Sequence, residues 1–305
     1  MRSQALKQVA DLDIRLLRVF KTVVEAGSFA GAESALGITP SAISVHMSDL
    51  EARLGMRLCQ RGRAGFALTD QGREVLRATE TLLAAVEDFR GEINQLHRSL
   101  RGDLNVGLIN NLVTEPRMQV TSALEFISRQ SSEVRINLSM NTPSEIELGL
   151  MDGRMHVGVL PWIASLSGLE YRALYDEQSL LYCSERHPLF ANASQASQHD
   201  LQAAATVAPN YPMSQQATAL HQGLHCTATA SNREAIAFLI LSGQYIGFLP
   251  SHYAAAWVDK GQMAVLMPER MHFSVQLAIA TRKGRRENQL LELFLTALEA
   301  QAGER

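Results

Sequence analysis

Between Ile14 and Leu54 the chain reads IRLLRVFKTVVEAGSFAGAESALGITPSAISVHMSDLEARL, and three short helical patterns are packed into it. Leu16, Val19, Phe20, Val23 and Val24 repeat at helical spacing up to Gly27. Ser28 is a good N-cap for a second helix ending near Leu36, where Ala30, Ala32 and Ala35 permit close packing. Gly37 supplies the stop, Thr39 caps a third helix, and Pro40 occupies its first position, where no N–H is needed. Only Gly37, Ile38 and Thr39 separate the last two helices. Helices this short and this close must cross sharply, as in a helix-turn-helix that offers its last helix to the major groove of DNA. On that helix Ile43, Met47, Leu50 and Leu54 face inward, leaving Ser41, Ser44, Val45 and Ser48 outside, with His46 and Asp49 on the flank.

The next segment, LCQRGRAGFALT, predicts a two-stranded wing with Arg61 and Arg63 near its tip, placed for phosphate contact. Thr69 and Asp70 then open a long helix. In it Val75, Leu82, Val86, Phe89, Ile93 and Leu96 follow a seven-residue repeat broken by Thr79, which predicts a coiled-coil seam against a second copy. A single helix packed on its own domain is the plainer alternative. Arg101-Gly102-Asp103 reads as a hinge.

Charge supports one docking surface, not a coat of nucleic acid. The net charge is −3, but residues 1–68 carry nine Lys/Arg against six Asp/Glu, so the excess of acid lies elsewhere. No apolar run approaches the roughly 18 residues of a membrane span, and the N-terminus lacks a secretory signal, so a cytoplasmic protein is expected. Cys59, Cys183 and Cys226 share no metal-ligand spacing, and their odd number argues for reduced, packed thiols over a disulfide framework. A redox role for Cys183 and Cys226 is the minor alternative.

From Leu104 onward strands and helices alternate. LNVGLI, VRINLSM and MHVGVL read as strands, with helices at Pro116–Gln130 and Pro143–Met151 between them. SLLYC is expected to start a second sheet beyond a crossing point. Ala191–Ala204 reads as loop with a short helix, Asn232–Leu241 as helix, YIGFLP as strand and Ser251–Ala256 as a short helix. FSVQLAIA is expected to return to the first sheet before a terminal helix at Glu287–Ala300. Two α/β lobes joined by crossing strands enclose a cleft suited to a small molecule.

Over essentially its full length the chain resembles the LysR-type transcriptional regulators. The resemblance is carried by LRVFKTVVEAGSFAGAESALGITPSAISVHMSDLEARLGMRL, then LTDQG, RGDLNVGL, LMDGRMHVGV and YIGFLP. It implies an α/β protein with an N-terminal winged helix-turn-helix (1–68), a dimerising linker helix (69–101) and a two-lobed regulatory half (102–305) of the periplasmic-binding-protein type II fold. Lobe one would comprise about 102–176 with 275–305, and lobe two about 177–274. The implied function is a DNA-binding bacterial transcription regulator that answers to a small co-inducer in the interlobe cleft. Implied partners are promoter DNA, the co-inducer and further copies in a homodimer or homotetramer, with RNA polymerase a further candidate.

Carried over by position, the DNA-reading set is Pro40, Ser41, Ser44 and Val45, with His46 and Ser48 as added polar candidates. Ser28, Thr39 and Arg63 match positions that hold the phosphate backbone, and the wing reading adds Arg61 to them. Val45 stands where the family often has a polar or basic side chain, so it can offer only apolar contact, for instance to a thymine methyl. Cys59 replaces a common phenylalanine at the wing base. The effector set is Asn110, Asn111, Asn141, Thr142, Pro161, Trp162, Tyr211 and Met213. Helix N-termini beside the asparagines suit a carboxylate or another oxyanion, and Trp162 could stack on a ring. The arginine some aromatic-acid sensors carry near Pro161 is missing. The asparagines also suit plain turns, and Trp162 a packed role. The expected ligand is a small polar or weakly acidic metabolite, with an aromatic one among the candidates.

Other classes fare worse. There is no G-x-S-x-G, no paired-histidine metal motif and no P-loop, so no catalytic residues, metal or cofactor are expected. His156 stands where the family usually has Asp, and a lone histidine there reads as packed. A solute receptor would not need the DNA-binding front, and an architectural DNA binder would not need the two-lobed half.

Overall fold

The computed structural model describes residues 9–62, 65–96, 100–285 and 287–300. The described chain divides into two compact units, one built on the residues up to Ile93 together with Asp152–Arg154, the other on the remainder.

In the first unit, α1 (Asp11–Glu25), α2 (Phe29–Leu36) and α3 (Pro40–Leu54) form the expected trio. Ser28 Oγ accepts from Gly31 N at 2.9 Å and Thr39 Oγ1 from Ala42 N at 3.3 Å, so both caps satisfy N–H groups the helices leave free. Phe20, Val23, Ile43 and Met47 are wholly buried between the helices. One tie was not legible as a pattern. Asp13, buried in the first turn of α1, receives both Arg53 Nε and Arg53 Nη2 (2.9 Å) from the last turn of α3. Hydrogen bonds from Arg53 and from Ala10 N hold the Asp13 carboxyl below its ordinary value.

The wing is an antiparallel hairpin of β1 (Cys59–Gly62) and β2 (Gly65–Leu68), with Gly62 opposite Gly65. Cys59 is buried in the core of this unit. The stalk α4 (Asp70–Leu96) starts at Thr69, whose Oγ1 accepts from Gly72 N at 2.9 Å and donates to Arg57 O at 2.7 Å. A Cβ on Gly72 would lie 2.1 Å from Leu58 O, so only glycine lets the stalk pass this close to the wing base.

The second unit opens with β3 (Gly102–Leu108), α5 (Val120–Gln130), β4 (Val134–Met140), α6 (Pro143–Met151) and β5 (Val157–Pro161). Residues 116–119 form a turn, so α5 starts later than its sequence pattern suggested. There follow β6 (Leu169–Ser184), α7 (Gln198–Ala203), β7 (Ala205–Pro209), α8 (Gln215–Gln222), β8 (His225–Ala230), α9 (Arg233–Leu241) and β9 (Gly247–Pro250). The chain ends with α10 (Ser251–Val258), β10 (Met263–Val265), β11 (His272–Arg282) and α11 (Gln289–Ala300).

SLLYC does not begin a separate sheet. It is the end of the 16-residue strand β6, which runs through both lobes of one sheet ordered β10-β6-β11-β5-β3-β4, with β9 also on β6. The two crossing strands, β6 and β11, pair antiparallel from His272 opposite Leu180 to Arg282 opposite Leu169. Their register shifts between Leu277 and Ala278, where Leu174 has no counterpart, a bulge that bends the ribbon as it passes between lobes. The separate sheet is the small parallel pair of β7 and β8, which the Ala- and Thr-rich sequence did not advertise.

Each lobe has its own core. Leu104, Ile127, Ile146, Val157, Leu277 and Phe294 belong to the first, and Tyr182, Val207, Ile240 and Leu249 to the second. His156 is packed, its Nδ1 accepting from Asn105 N at 3.1 Å. The close seat of α6 on β5 depends on Gly158, where a Cβ would meet Ile146 Cγ2 at 2.3 Å. Gly158→Ala should therefore cost about 1–3 kcal/mol by overpacking, measured as a lower urea midpoint with an unchanged slope.

Candidate DNA interface and effector cleft

The outer side of α3 is bare. Thr39, Ser41, Val45 and Ser48 are exposed, Val45 by 59%, while Pro40, Ser44 and His46 are half-buried. Ser48 Oγ donates to Ser44 O at 2.9 Å, which spends its proton within the helix and turns its lone pairs outward. Ser28 is half-buried and occupied as the cap of α2. Arg61 lies on β1 at the wing, and Arg63 lies outside the described residues.

In the second unit the carboxyl ends of β3, β4 and β5 face the start of α9 across a cavity of about 240 Å³. Asn110, Asn141, Thr142, Pro161 and Tyr211 line it, as does Arg233 from α9. Asn141 is fixed by its backbone, whose N–H donates to Leu108 O at 2.8 Å. Thr142 caps α6 reciprocally: its N–H and its hydroxyl each donate to Glu145 Oε2 at 2.8 Å. Against this order, Asn110 Nδ2 and Asn141 Oδ1 are buried without a hydrogen-bond partner. Such groups cost about 1–3 kcal/mol each unless something pairs them. Tyr211 closes the cavity from the second lobe, and burial pushes its phenol up.

Three of the expected cleft residues lie elsewhere. Trp162 stacks flat on Tyr171 (5.6 Å between centroids, 7°) and donates from Nε1 to Ser165 Oγ at 2.9 Å, so it offers no face to the cavity. Trp162 lies just past the end of β5, where its neighbours Pro161 and Ile163 line cleft space and it does not. Asn111 sits at φ 67, the left-handed corner before a short 3₁₀ turn at Leu112–Thr114, and does not line the cavity. Met213 lines a second, smaller chamber.

Sequence reasoning missed Arg233, read only as part of the helix Asn232–Leu241. Asn232 Oδ1 does accept from Ala235 N at 2.8 Å. That cap places Arg233 at the first turn of α9, where a cation is opposed by the helix dipole and needs an anion; this was the available signal. The anion is Glu177 of β6, almost wholly buried, which takes Arg233 in a two-pronged pair with Nη1–Oε1 at 3.0 Å. Arg233 Nη1 also reaches Asn110 O at 3.4 Å.

The pair is extended by His252 of α10, whose Nε2 donates to Glu177 Oε1 at 3.0 Å while Nδ1 meets Thr114 Oγ1 at 2.8 Å. Glu115 lies 3.7 Å from the same Nε2. Burial alone would raise the Glu115 carboxyl, but Arg117, bonded through its backbone N–H and guanidinium, holds it below the ordinary value. Arg117 in turn lies 4.8 Å over the Tyr175 ring. Burial, then the Glu177 and Glu115 carboxylates, push the Tyr175 phenol well up.

Among the described residues no His/Cys/Asp/Glu group is arranged to hold a metal, and no helix is long and apolar enough to cross a membrane. Cys59 and Cys183 are buried and Cys226 is exposed, none of them in a disulfide, and burial pushes the Cys183 thiol up to about 11.

Comparison with known proteins gives the same two halves. Residues 14–73 match the model for the bacterial regulatory helix-turn-helix protein, lysR family, and residues 97–303 match that for the LysR substrate binding domain. The chain is 60% identical over 298 residues to the HTH-type transcriptional activator BauR of Pseudomonas aeruginosa, covering 97% of this chain and 98% of that one. It is 22% identical over 293 residues to the HTH-type transcriptional regulator CbbR of Xanthobacter flavus, covering 89% and 83%. In fold it is similar to the crystal structure of CbnR, a LysR family transcriptional regulator (TM-score 0.67, 21% identity, 95% and 99% covered). It is similar also to full-length CbnR complexed with its target DNA (TM-score 0.65, 22% identity, 94% and 99% covered). With a capped helix-turn-helix at one end and a two-lobed substrate-binding domain at the other, this chain belongs to the LysR-type transcriptional regulators.

Proposed function

We propose that this regulator reads promoter DNA with the outer face of α3 and answers to a small carboxylate held between its lobes. Residues 1–68 serve as the DNA-binding domain, 69–101 as the linker and 102–305 as the sensor. Ser41, Ser44, Val45 and Ser48 meet base edges, with Pro40 and His46 beside them, and Ser28, Thr39, Arg61 and Arg63 hold phosphates. The similarity to an activator supports activation as the output. Two copies pair along α4, where Phe89 (61% exposed) and Ile93 (41%) leave an apolar seam uncovered within one chain. The protein works in the cytoplasm, beside its DNA, and carries out no chemistry on the molecule it senses.

The observation that carries the sensing role is that Asn110 and Asn141, each with a buried amide atom left unpaired, line one cavity. A carboxylate meets Asn110 Nδ2 and the positive start of α6, with Arg233 on the opposite wall. The expectation of an aromatic ligand loses its basis with Trp162 turned away.

Two tests follow from these assignments. Ser44→Glu sets a negative charge against the duplex and should weaken operator binding at least about tenfold in footprinting. Val45→Lys should instead raise affinity for any duplex and steepen its salt dependence by roughly one counterion; unchanged binding in both variants would remove α3 from the interface. In thermal-shift screens of small carboxylates, those that stabilise the wild type should lose that effect in the Asn110→Ala/Asn141→Ala variant. Stabilisation that survives the double variant would refute the cleft assignment.

A further inference from the structure

The cleft does not end at its first cavity. A second chamber, of about 70 Å³, shares Pro143, Pro161, Tyr211 and Arg233 with the first. Its other walls are largely apolar, among them Ile163, Ile236, Phe248, Phe273 and Val275. One buried polar ring stands out in them. His221, in the last turn of α8, packs tilted on Phe248 with centroids 5.0 Å apart. Its Nδ1 lies 2.8 Å from Ala217 O. A carbonyl oxygen can only accept, so Nδ1 carries the proton. Burial favours the neutral ring. Nε2 is then a bare acceptor, and it has no hydrogen-bond partner among the described residues. The chamber's other polar side chains are Glu177, Ser179, Tyr211, Ser214 and Arg233, of which Glu177 and Arg233 are paired with each other and Ser214 caps α8.

We infer that the second chamber takes the far end of the effector, and that this end is a short apolar arm finishing in an O–H or N–H donor aimed at His221 Nε2. The inference rests on the reading that the first cavity takes the carboxylate. Together the two chambers define a ligand class: a small acid whose opposite end donates a hydrogen bond. His221 acts as a specificity residue. An analogue ending in a methyl group leaves Nε2 unpaired, and a site built for a donor rejects such an analogue.

Calorimetry on the full-length protein tests this with straight-chain carboxylates of increasing length, each ending either in a methyl or in a hydroxymethyl group. At one length the hydroxyl-ended acid should bind the wild type about tenfold more tightly than its methyl-ended partner. His221→Phe, similar in size and without an acceptor, should abolish that preference. His221→Gln, which keeps an acceptor, should retain part of it and guards against a folding defect in the phenylalanine variant. Equal binding of both ends at every length in the wild type, or a preference that survives His221→Phe, overturns the inference. Acids that need Asn110 and Asn141 but show no preference of end overturn the second chamber alone. Acids that ignore both asparagines overturn the cleft reading beneath it.

Discussion

Glu177 is a carboxylate on a strand that crosses between two lobes, with its side chain only 2% exposed. Removing a charge of this kind from water costs several kcal/mol even after the protein relaxes, and only good geometry with further hydrogen bonds offsets it. Here the offset comes from both sides of the crossing. Arg233 and His252 approach from the second lobe, while Thr114 and Glu115, through His252, bring in the first. Deleting one partner would leave the other charge buried and alone, a loss of about 3–5 kcal/mol, whereas replacing the set by matched apolar groups could be neutral. Stability alone is therefore a weak reason for the cluster, and its position is a better one.

Arg233 belongs to two structures at once, the buried pair with Glu177 and the wall of the cavity proposed to take the ligand. An oxyanion entering that cavity competes with Glu177 for the same guanidinium. Any part of Arg233 drawn toward ligand is withdrawn from the crossing strand and, through Glu177, from His252 on α10. A ligand can shift lobe geometry only by the difference in its affinity for the two arrangements. A shared, low-dielectric ion pair is a place where that difference can reach several kcal/mol. The β6–β11 ribbon supplies the mechanical side, since its bulge at Leu174 lies three residues before Glu177 on the same strand.

What was legible in the sequence was what local chemistry encodes. Ser28, Thr39, Pro40 and Gly37 wrote the helix-turn-helix through caps and a left-handed stop, and the structure forms each of them. Asn110, Asn141, Thr142 and Pro161 were singled out from the family resemblance, and all four line one cavity. Side-chain direction was harder to see. Just past the end of β5, Trp162 does not line the cleft space that its neighbours Pro161 and Ile163 do. Pairs distant in sequence were not visible either: Asp13 with Arg53, and Glu177 with Arg233, join residues that no period connects. The parallel pair β7–β8 was missed because its Ala, Thr and Pro content carries little strand signal.

The charge distribution constrains how such a molecule finds its DNA. With −3 overall and a modest basic excess at the front, a single helix-turn-helix neutralises few phosphates. Each neutralised phosphate adds about 0.9 to the salt slope, so one copy alone binds arbitrary duplex weakly. The exposed face of α3 is serine and valine, groups that add little to non-specific attraction and depend on matching base edges. Affinity at a true site must then come from joining two such faces on one duplex, which turns the second contact into an intramolecular event and raises avidity by about 10²–10⁴. Under the pairing proposed for α4, its uncovered seam supplies that join, and Gly72 makes it effective. By letting the stalk begin in contact with Leu58 at the wing base, it leaves the reading helix no slack relative to the helix that pairs the copies.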